Sequence, residues 1–155
     1  MAAARTIILK GTPARDERLA TAVAIKPGYL LQITSANLVE AFSTAGGTIG
    51  AKIVALENDL QGDGVSTSYA VSVMVQYAVV RPGDEVLMHL YNGENVAIGD
   101  KVEAHSDGTI RKLVADTSAL TVKVNCVIGV ALEAVDMSGS TGVDPTGGWI
   151  RILIG

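Results

Sequence analysis

The chain has 155 residues and a formal net charge of −4; 48% of its residues are hydrophobic but only 4% are aromatic, and 17 are glycine. This length fits one domain that buries roughly 70% of its unfolded surface, and the acidic balance argues against a general nucleic-acid binder. No apolar run approaches the ~20 residues of a membrane-spanning helix or the ~7–15 of a signal-peptide core. Because Cys126 is the only cysteine, an internal disulfide is excluded and we expect synthesis in a reducing cytosol.

Charge is distributed unevenly along the chain. Residues 1–28 carry five basic and two acidic side chains, a net +3, which leaves −7 for the rest of the chain. A cationic segment on an acidic body predicts an arm that docks on an acidic surface, and a solvated tail without a role fits the same pattern equally well.

The first predicted element is a short apolar run, Thr6–Leu9, which could add as a strand to the edge of a sheet. Residues 13–24 fit two structures equally well, a short helix or an irregular arm. We therefore divide the chain into an N-terminal arm, residues 1–18, and a single β-rich domain, residues 19–155. We expect the arm to be poorly ordered until it meets the rest of an oligomer or a partner.

Three short strands are predicted next. A Lys-Pro-Gly turn leads into a strand at Tyr29–Ile33, and residues 37–43 are predicted as its hairpin partner in spite of some helical propensity. A third strand, Lys52–Leu56, ends at a polar loop over residues 57–68.

The central stretch has the clearest pattern. Side chains alternate from Val71 to Val79, and this period of two predicts a half-buried strand. Arg81–Asp84 ends it, because Pro cannot donate to a strand ladder and Gly supplies the positive φ of a reversal. The alternation resumes over residues 86–90. Three more turns are then predicted, at Asn92-Gly93, Gly99-Asp100 and Asp107-Gly108.

The last part of the chain continues this pattern. Residues 109–113 are predicted as the return strand of a hairpin, 121–130 as a two-faced strand and 150–154 as a closing strand, with a loop rich in Gly, Ser and Thr over 136–148. The predicted fold class is mainly all-β: a compact small β-barrel or β-sandwich of short antiparallel strands, with an extended N-terminal arm and at most one or two short helices.

The residues that could carry chemistry do not form a predicted catalytic, metal or cofactor site. No Cys cluster or carboxylate at ligand spacing accompanies His89 and His105, so we expect two separate surface imidazoles. Cys126 lies on the apolar face of its predicted strand, which favours a small buried thiol over a nucleophile. Three aspartates adjoin glycines and are expected to cap turns through backbone N–H groups: Asp84, Asp100 and Asp107.

Several motifs taken together resemble the small decoration (cement) proteins of tailed-bacteriophage capsids. They are IILKGTPARDERLATAVAIKPGYLL at 7–31, Ala-Leu-Glu-Asn-Asp at 55–59, Arg-Pro-Gly-Asp at 81–84, Val-Ala-Ile-Gly-Asp-Lys-Val at 96–102 with Asp-Gly at 107–108, and Ile-Gly-Val-Ala-Leu-Glu-Ala at 128–134. The resemblance covers most of the chain in order. It implies a β-rich, often trimeric or dimeric protein that coats the outside of an expanded capsid and has no enzymatic activity.

The partners that follow from this resemblance are the major capsid protein and further copies of the chain, as a homo-trimer or alternatively a dimer, with no nucleic acid, membrane or cofactor. The location that follows is the exterior of the virion, after synthesis in the host cytoplasm. The N-terminal segment is predicted to contact the capsid or a neighbouring subunit, because an apolar strand can add to a sheet edge and basic side chains can steer it onto acidic neighbours. The expected contact residues are Arg5, Thr6, Ile7, Ile8, Leu9, Lys10, Arg15 and Arg18.

Two alternatives come from other classes of protein. The Pro-Gly-Asp and Ile-Gly-Asp turns also occur in barrel-sandwich carrier domains, which present a modified lysine at a hairpin tip. Here Lys52 and Lys123 lie inside predicted strands, and Lys101 has no neighbouring Met. A small β-barrel enzyme or a ligand-binding β domain is the other alternative, although one Trp and one Phe supply little surface for stacking on a sugar.

Overall fold

The computed structural model describes residues 6–114, 126–139 and 148–155. Within these ranges the chain forms thirteen strands: β1 (Ile8–Lys10), β2 (Ala14–Leu19), β3 (Leu30–Ile33), β4 (Val39–Ala41), β5 (Ile53–Ala55), β6 (Met74–Val79), β7 (Glu85–His89), β8 (Asn95–Val96), β9 (Lys101–Ala104), β10 (Ile110–Lys112), β11 (Val127–Ala131), β12 (Val135–Asp136) and β13 (Trp149–Ile154). The described helical structure is one 3-10 turn, Asp59–Gln61. No helix in these ranges is long and apolar enough to cross a membrane.

The strands form three antiparallel sheets. One sheet has the order β1-β7-β13-β11-β9-β10, a second has the order β2-β6-β5-β3-β4, and the third is the pair β12-β8. The all-β prediction is therefore confirmed. Among the described strands, neither large sheet closes into a barrel through a continuous ladder.

The two large sheets repeat one arrangement. We call residues 14–80 the first unit and residues 85–155 the second unit. In the sheet of the first unit, neighbouring strands are the first, fifth, fourth, second and third of that unit along the chain. The second unit has the same order in its strands β7, β13, β11, β9 and β10. In each unit the first and third strands also meet through one parallel bridge, Ala20 with Val39 and Leu90 with Ile110. Both sheets are therefore curled in the same way.

Backbone hydrogen bonds match the two units residue by residue. Thr21 N–H donates to Val39 O at 3.0 Å, and Tyr91 N–H donates to Ile110 O at 2.7 Å. Gly28 N–H donates to Ala55 O and Gly99 N–H to Ala131 O, both at 2.8 Å. These two glycines have φ of 88° and 85°, a left-handed conformation that favours glycine. We call residues matched in this way counterparts.

The buried apolar side chains form two clusters. The main core combines both units, with Leu30, Val54 and Ala78 from the first and Val102, Ile128 and Ile152 from the second. A second cluster belongs to the first unit alone and includes Ile25, Leu31, Val39, Ile53, Val75 and Tyr77. β6 contributes to both, through Ala78 on one face and Tyr77 on the other. Near its C-terminal end β6 is therefore buried on both faces, whereas Met74 at its start is exposed and Gln76 is half-buried. The prediction of a half-buried strand is confirmed only for this first part.

Most predicted strands are confirmed within one or two residues at their ends. The hairpin of β3 and β4, strands β5, β7 and β13, and the return strand β10 all lie where the pattern placed them. The strand predicted from Val71 begins at Met74. Residues 121–125 of a predicted strand and 140–147 of a predicted loop lie outside the described residues.

The first half of the region predicted as a helix or an irregular arm is a strand. Residues 14–19 form β2, which pairs with β6 along its whole length. The predicted boundary between residues 18 and 19 falls inside this strand. Order of residues 1–18 away from a partner stays a prediction.

Candidate interaction surfaces

The predicted contact residues occupy both N-terminal strands. Arg5 lies outside the described residues, and the other seven lie in or beside β1 and β2. β1 is the edge strand of the six-stranded sheet and β2 is the edge strand of the five-stranded sheet. The strand predicted to add to a sheet edge therefore pairs with β7 of its own chain.

Ile7 anchors this segment to both units. Its side chain is fully buried in the main core, its N–H donates to Glu57 Oε2 at 3.0 Å, and its carbonyl accepts from Leu87 N–H at 2.8 Å. Ile8 packs against the same core. The apolar part of the segment is thus used inside the chain, whereas Thr6 and Lys10 are exposed.

A polar network occupies the inward side of β2. The Tyr77 hydroxyl donates to Asp16 Oδ2 at 2.9 Å, and Arg18 Nε donates to the Tyr77 oxygen at 3.3 Å. The Arg18 guanidinium also donates to the side chain of Asn37. Hydrogen bonds from the Glu17 N–H and then the Tyr77 hydroxyl hold the pKa of Asp16 below its ordinary value. Arg18 is therefore engaged within the chain.

The free edge of β2 is protected by its own side chain. The Glu17 N–H donates to the carboxylate of Asp16 at 2.9 Å. Its counterpart Leu87 uses the same group to bind Ile7 O of β1. A charged side chain that caps the edge opposes the addition of another strand there.

The basic side chains of the segment lie beside carboxylates. The shortest nitrogen–oxygen distances are 3.7 Å from Lys10 to Glu85, 3.8 Å from Arg15 to Asp59 and 3.9 Å from Arg18 to Asp16. Exposed ion pairs of this kind contribute little stability, about 0–1 kcal/mol, so Lys10 and Arg15 can exchange these partners for others at low cost.

The two histidines have separate structural surroundings. His89 is buried between Trp149, with ring centroids 3.8 Å apart, and Tyr29, at 5.3 Å. Burial lowers the pKa of His89 to about 4. His105 stacks on Tyr91 at 3.6 Å. The prediction of a surface imidazole is therefore wrong for His89, because its ring fills the contact between the two units.

The predicted turn-capping aspartates are confirmed. Each accepts a backbone N–H of its own turn: Asp84 from Arg81 at 2.9 Å, Asp100 from Ala97 at 2.9 Å and Asp107 from Thr109 at 3.1 Å. Cys126 is a buried free thiol, as predicted. Over the ranges that the structure describes, no group of three or more His, Cys, Asp or Glu is placed to hold a metal ion.

A cavity of about 550 Å³ opens beside the last residue of β2 and the first residue of β6 in the first unit. Leu19, Val73 and Met74 form part of its wall, and Asp63 and Tyr69 also line it. The Tyr69 hydroxyl donates to Leu56 O at 2.9 Å, and burial raises its pKa to about 12. Among the described lining residues Tyr69 is the only aromatic one, and its ring is buried, so the cavity offers no aromatic platform for a sugar.

Comparison with known proteins yields a shared fold. No family model matches the sequence, and no curated protein matches it. A solved structure, the N base of head fiber gp8.5 in bacteriophage phi29, aligns with a TM-score of 0.54 over 92% of this chain and 95% of that one. The identity is 11%, so the likeness concerns the fold alone.

Proposed function

We propose that this protein is a structural component of a phage head: a decoration protein that binds the outer surface of the expanded capsid and stabilises it by bridging neighbouring capsid subunits. The observation that carries the proposal is the fold shared over almost the full length of the chain with a head-fiber base of a phage. The sequence motifs that resemble decoration proteins support it independently. In this proposal the protein has no enzymatic activity, lies on the virion exterior after synthesis in the host cytoplasm, and acts as a homo-trimer or alternatively a dimer.

The side-chain arrangement supports a role in binding rather than in chemistry. The described histidines stack on aromatic rings, the three turn aspartates cap their own backbone, and the cysteine is buried. A shell-binding protein needs such a rigid body, because it must fold alone and bind only where assembled subunits form its site. Preferential binding to the expanded shell stabilises that state by about 2.7 kcal/mol at a hundredfold excess over Kd.

The exposed basic residues beside the link between β1 and β2 are the proposed capsid contact. Lys10 and Arg15 are exposed and held only by surface ion pairs. Arg5 and Thr6 extend the same segment. Ile7 supports the contact indirectly through its burial in the core.

Co-sedimentation with purified heads tests the proposal. We expect the wild-type protein to pellet with expanded heads and to stay in solution with unexpanded ones. The double variant Lys10→Glu, Arg15→Glu should lose most of this binding, whereas Lys10→Arg, Arg15→Lys, which keeps the charge, should retain it. A wild-type protein that does not pellet with expanded heads would overturn the decoration role, and undiminished binding of the charge-reversed variant would overturn the assigned contact.

A further inference from the structure

The two units of one chain meet through a specific contact. The turn at Lys26–Tyr29 of the first unit lies against the His89–Trp149 pair of the second. A Cβ atom added to Gly28 would lie 2.6 Å from Cζ3 of Trp149 and 3.3 Å from Cδ2 of His89. The backbone also joins the units close by, since Leu30 N–H donates to Gly108 O at 2.8 Å.

Each side of this contact has a counterpart on the other unit. His89 pairs with Trp149 at the end of β7 and β13, and Leu19 pairs with Met74 at the matching end of β2 and β6. We call Leu19 and Met74 the receptor site. The turn of the first unit corresponds to residues 97–100 of the second, which we call the docking turn.

The receptor site and the docking turn are both exposed to solvent in the single chain. Leu19 is 41% exposed and Met74 is 47% exposed, and the cavity of about 550 Å³ lies beside them. Ile98 of the docking turn is 71% exposed although its counterpart Pro27 is buried. Apart from its chain neighbours, none of the described residues has an atom within 4 Å of a Cβ built on Gly99, whereas Gly28 is tightly enclosed.

We infer that the docking turn of one copy of this chain packs against the receptor site of the next copy, repeating between chains the contact that joins the two units within a chain. This inference rests on the proposed function and names the faces that build its oligomer. The contact joins two different surfaces, so it propagates from head to tail and closes into a ring when the rotation permits. Three chains would place six similar units in such a ring.

Charge favours the same pairing. Two acidic residues lie near the receptor site: Asp63 lines the cavity beside it, and Glu17, the counterpart of Leu87, precedes Leu19 by two residues on β2. Lys101 and Lys112 flank the docking turn, with Asp100 paired to Lys112 at 2.7 Å. Because Lys101 replaces the apolar Leu30 of the internal contact, we expect the contact between chains to be weaker and more sensitive to salt than the internal one.

Light scattering on purified protein, with charges placed on either face, tests this inference. Ile98→Asp and Met74→Asp alter opposite faces at exposed positions, and each should raise the dissociation constant of the oligomer by roughly 30-fold or more, leaving monomers. The matched control is Leu60→Asp, because Leu60 is 80% exposed on the 3-10 turn and does not line the cavity. It should keep the wild-type mass. Circular dichroism of each variant checks that it is folded, and Ile98→Ser and Met74→Ser stand in if an Asp variant is not.

An equimolar mixture of the two face variants gives the sharpest outcome. Each variant keeps one intact face, so the mixture should form a heterodimer through the single intact pairing, which a symmetric contact between identical faces would not allow. A monomeric wild-type protein, wild-type mass in either face variant, or a mixture that stays monomeric would each overturn the inference. Pelleting of the wild-type protein with expanded heads tests the decoration role separately, because it does not depend on which faces join the copies.

Discussion

The first unit places polar side chains where the second unit places aliphatic ones. Asp16 and Tyr77 face each other across β2 and β6, and their counterparts across β7 and β13 are Val86 and Ile152. Arg18 has the counterpart Met88. In the second unit these positions belong to the main core that both units share, whereas in the first unit a hydrogen-bonded network occupies them. The same strand arrangement thus accepts polar or apolar side chains at these positions, depending on whether the main core packs against them.

A second difference concerns one cross-strand pair. The second unit buries Glu103 completely and pairs it with Arg111, whose Nε and Nη2 both lie 2.9 Å from Glu103 Oε1. The counterparts in the first unit are Gln32 and Glu40, joined by one hydrogen bond of 2.8 Å near the surface. A buried charge depends far more on its partner than a half-exposed amide does.

Removal of Arg111 should therefore produce the largest loss of stability. Arg111→Ala leaves a buried carboxylate without its guanidinium, and we expect the free energy of unfolding to fall by about 3–5 kcal/mol. Its matched control, Glu40→Ala, should cost less than about 1 kcal/mol. Urea denaturation measures both, and equal losses would show that the two pairs do not differ as described.

The paired glycines probe the contact between the units. Gly28→Ala and Gly99→Ala both place a side chain at positive φ, which costs about 1–2 kcal/mol. Only Gly28→Ala also forces a methyl group against Trp149, so it should cost about 1–3 kcal/mol more. Thermal unfolding of the two variants compares them directly, and equal melting temperatures would argue against tight docking of the turn at residue 28.

His89 should make stability depend on pH, in contrast to its counterpart Leu19. Because the pKa of His89 falls from 6.5 to about 4 on folding, the unfolded chain takes up the proton first as pH drops. The free energy of unfolding therefore falls progressively as the pH drops from about 6.5 towards 4, and the loss due to His89 is roughly 2 kcal/mol at pH 5. His89→Leu should lose this part of the pH dependence in urea titrations. An unchanged profile would mean that His89 is accessible to protons in the folded protein.

The smallest effect is expected from the polar network of the first unit. Tyr77→Phe removes the hydroxyl that donates to Asp16 and accepts from Arg18, and it should cost about 1 kcal/mol. The same substitution should raise the pKa of Asp16, because one of its two principal hydrogen bonds is lost. NMR titration of the carboxyl carbon measures this shift, and a lower pKa in the variant would contradict the described network.

The same comparison shows which parts of the fold the sequence could predict. Apolar residues occupy every second position of β7 and β13, and glycines mark the turns around them, so periodicity located both strands. β2 could not be found in this way, because its inward positions are Asp16 and Arg18. A strand whose inner face is polar lacks the pattern on which the prediction depends, and residues 13–24 were consequently predicted as a helix or an irregular arm.

The repeat left one short signal in the sequence. Val-Ala-Leu-Glu occurs at 54–57 and again at 130–133. The two copies occupy matching positions at the C-terminal ends of β5 and β11. Elsewhere the counterparts share hydrogen-bond register rather than residue type. The receptor site and docking turn were missed for a related reason: Leu19, Met74 and Ile98 look like ordinary apolar strand and turn residues until their counterparts show what usually covers them.

Binding of the protein to the capsid exterior can be seen in a cryo-electron microscopy reconstruction of expanded phage heads incubated with the purified protein. We expect density on the outer surface where neighbouring capsid subunits meet, into which both units fit with the N-terminal segment against the shell. Heads without added density at saturating protein, examined alongside unexpanded heads, would contradict this expectation.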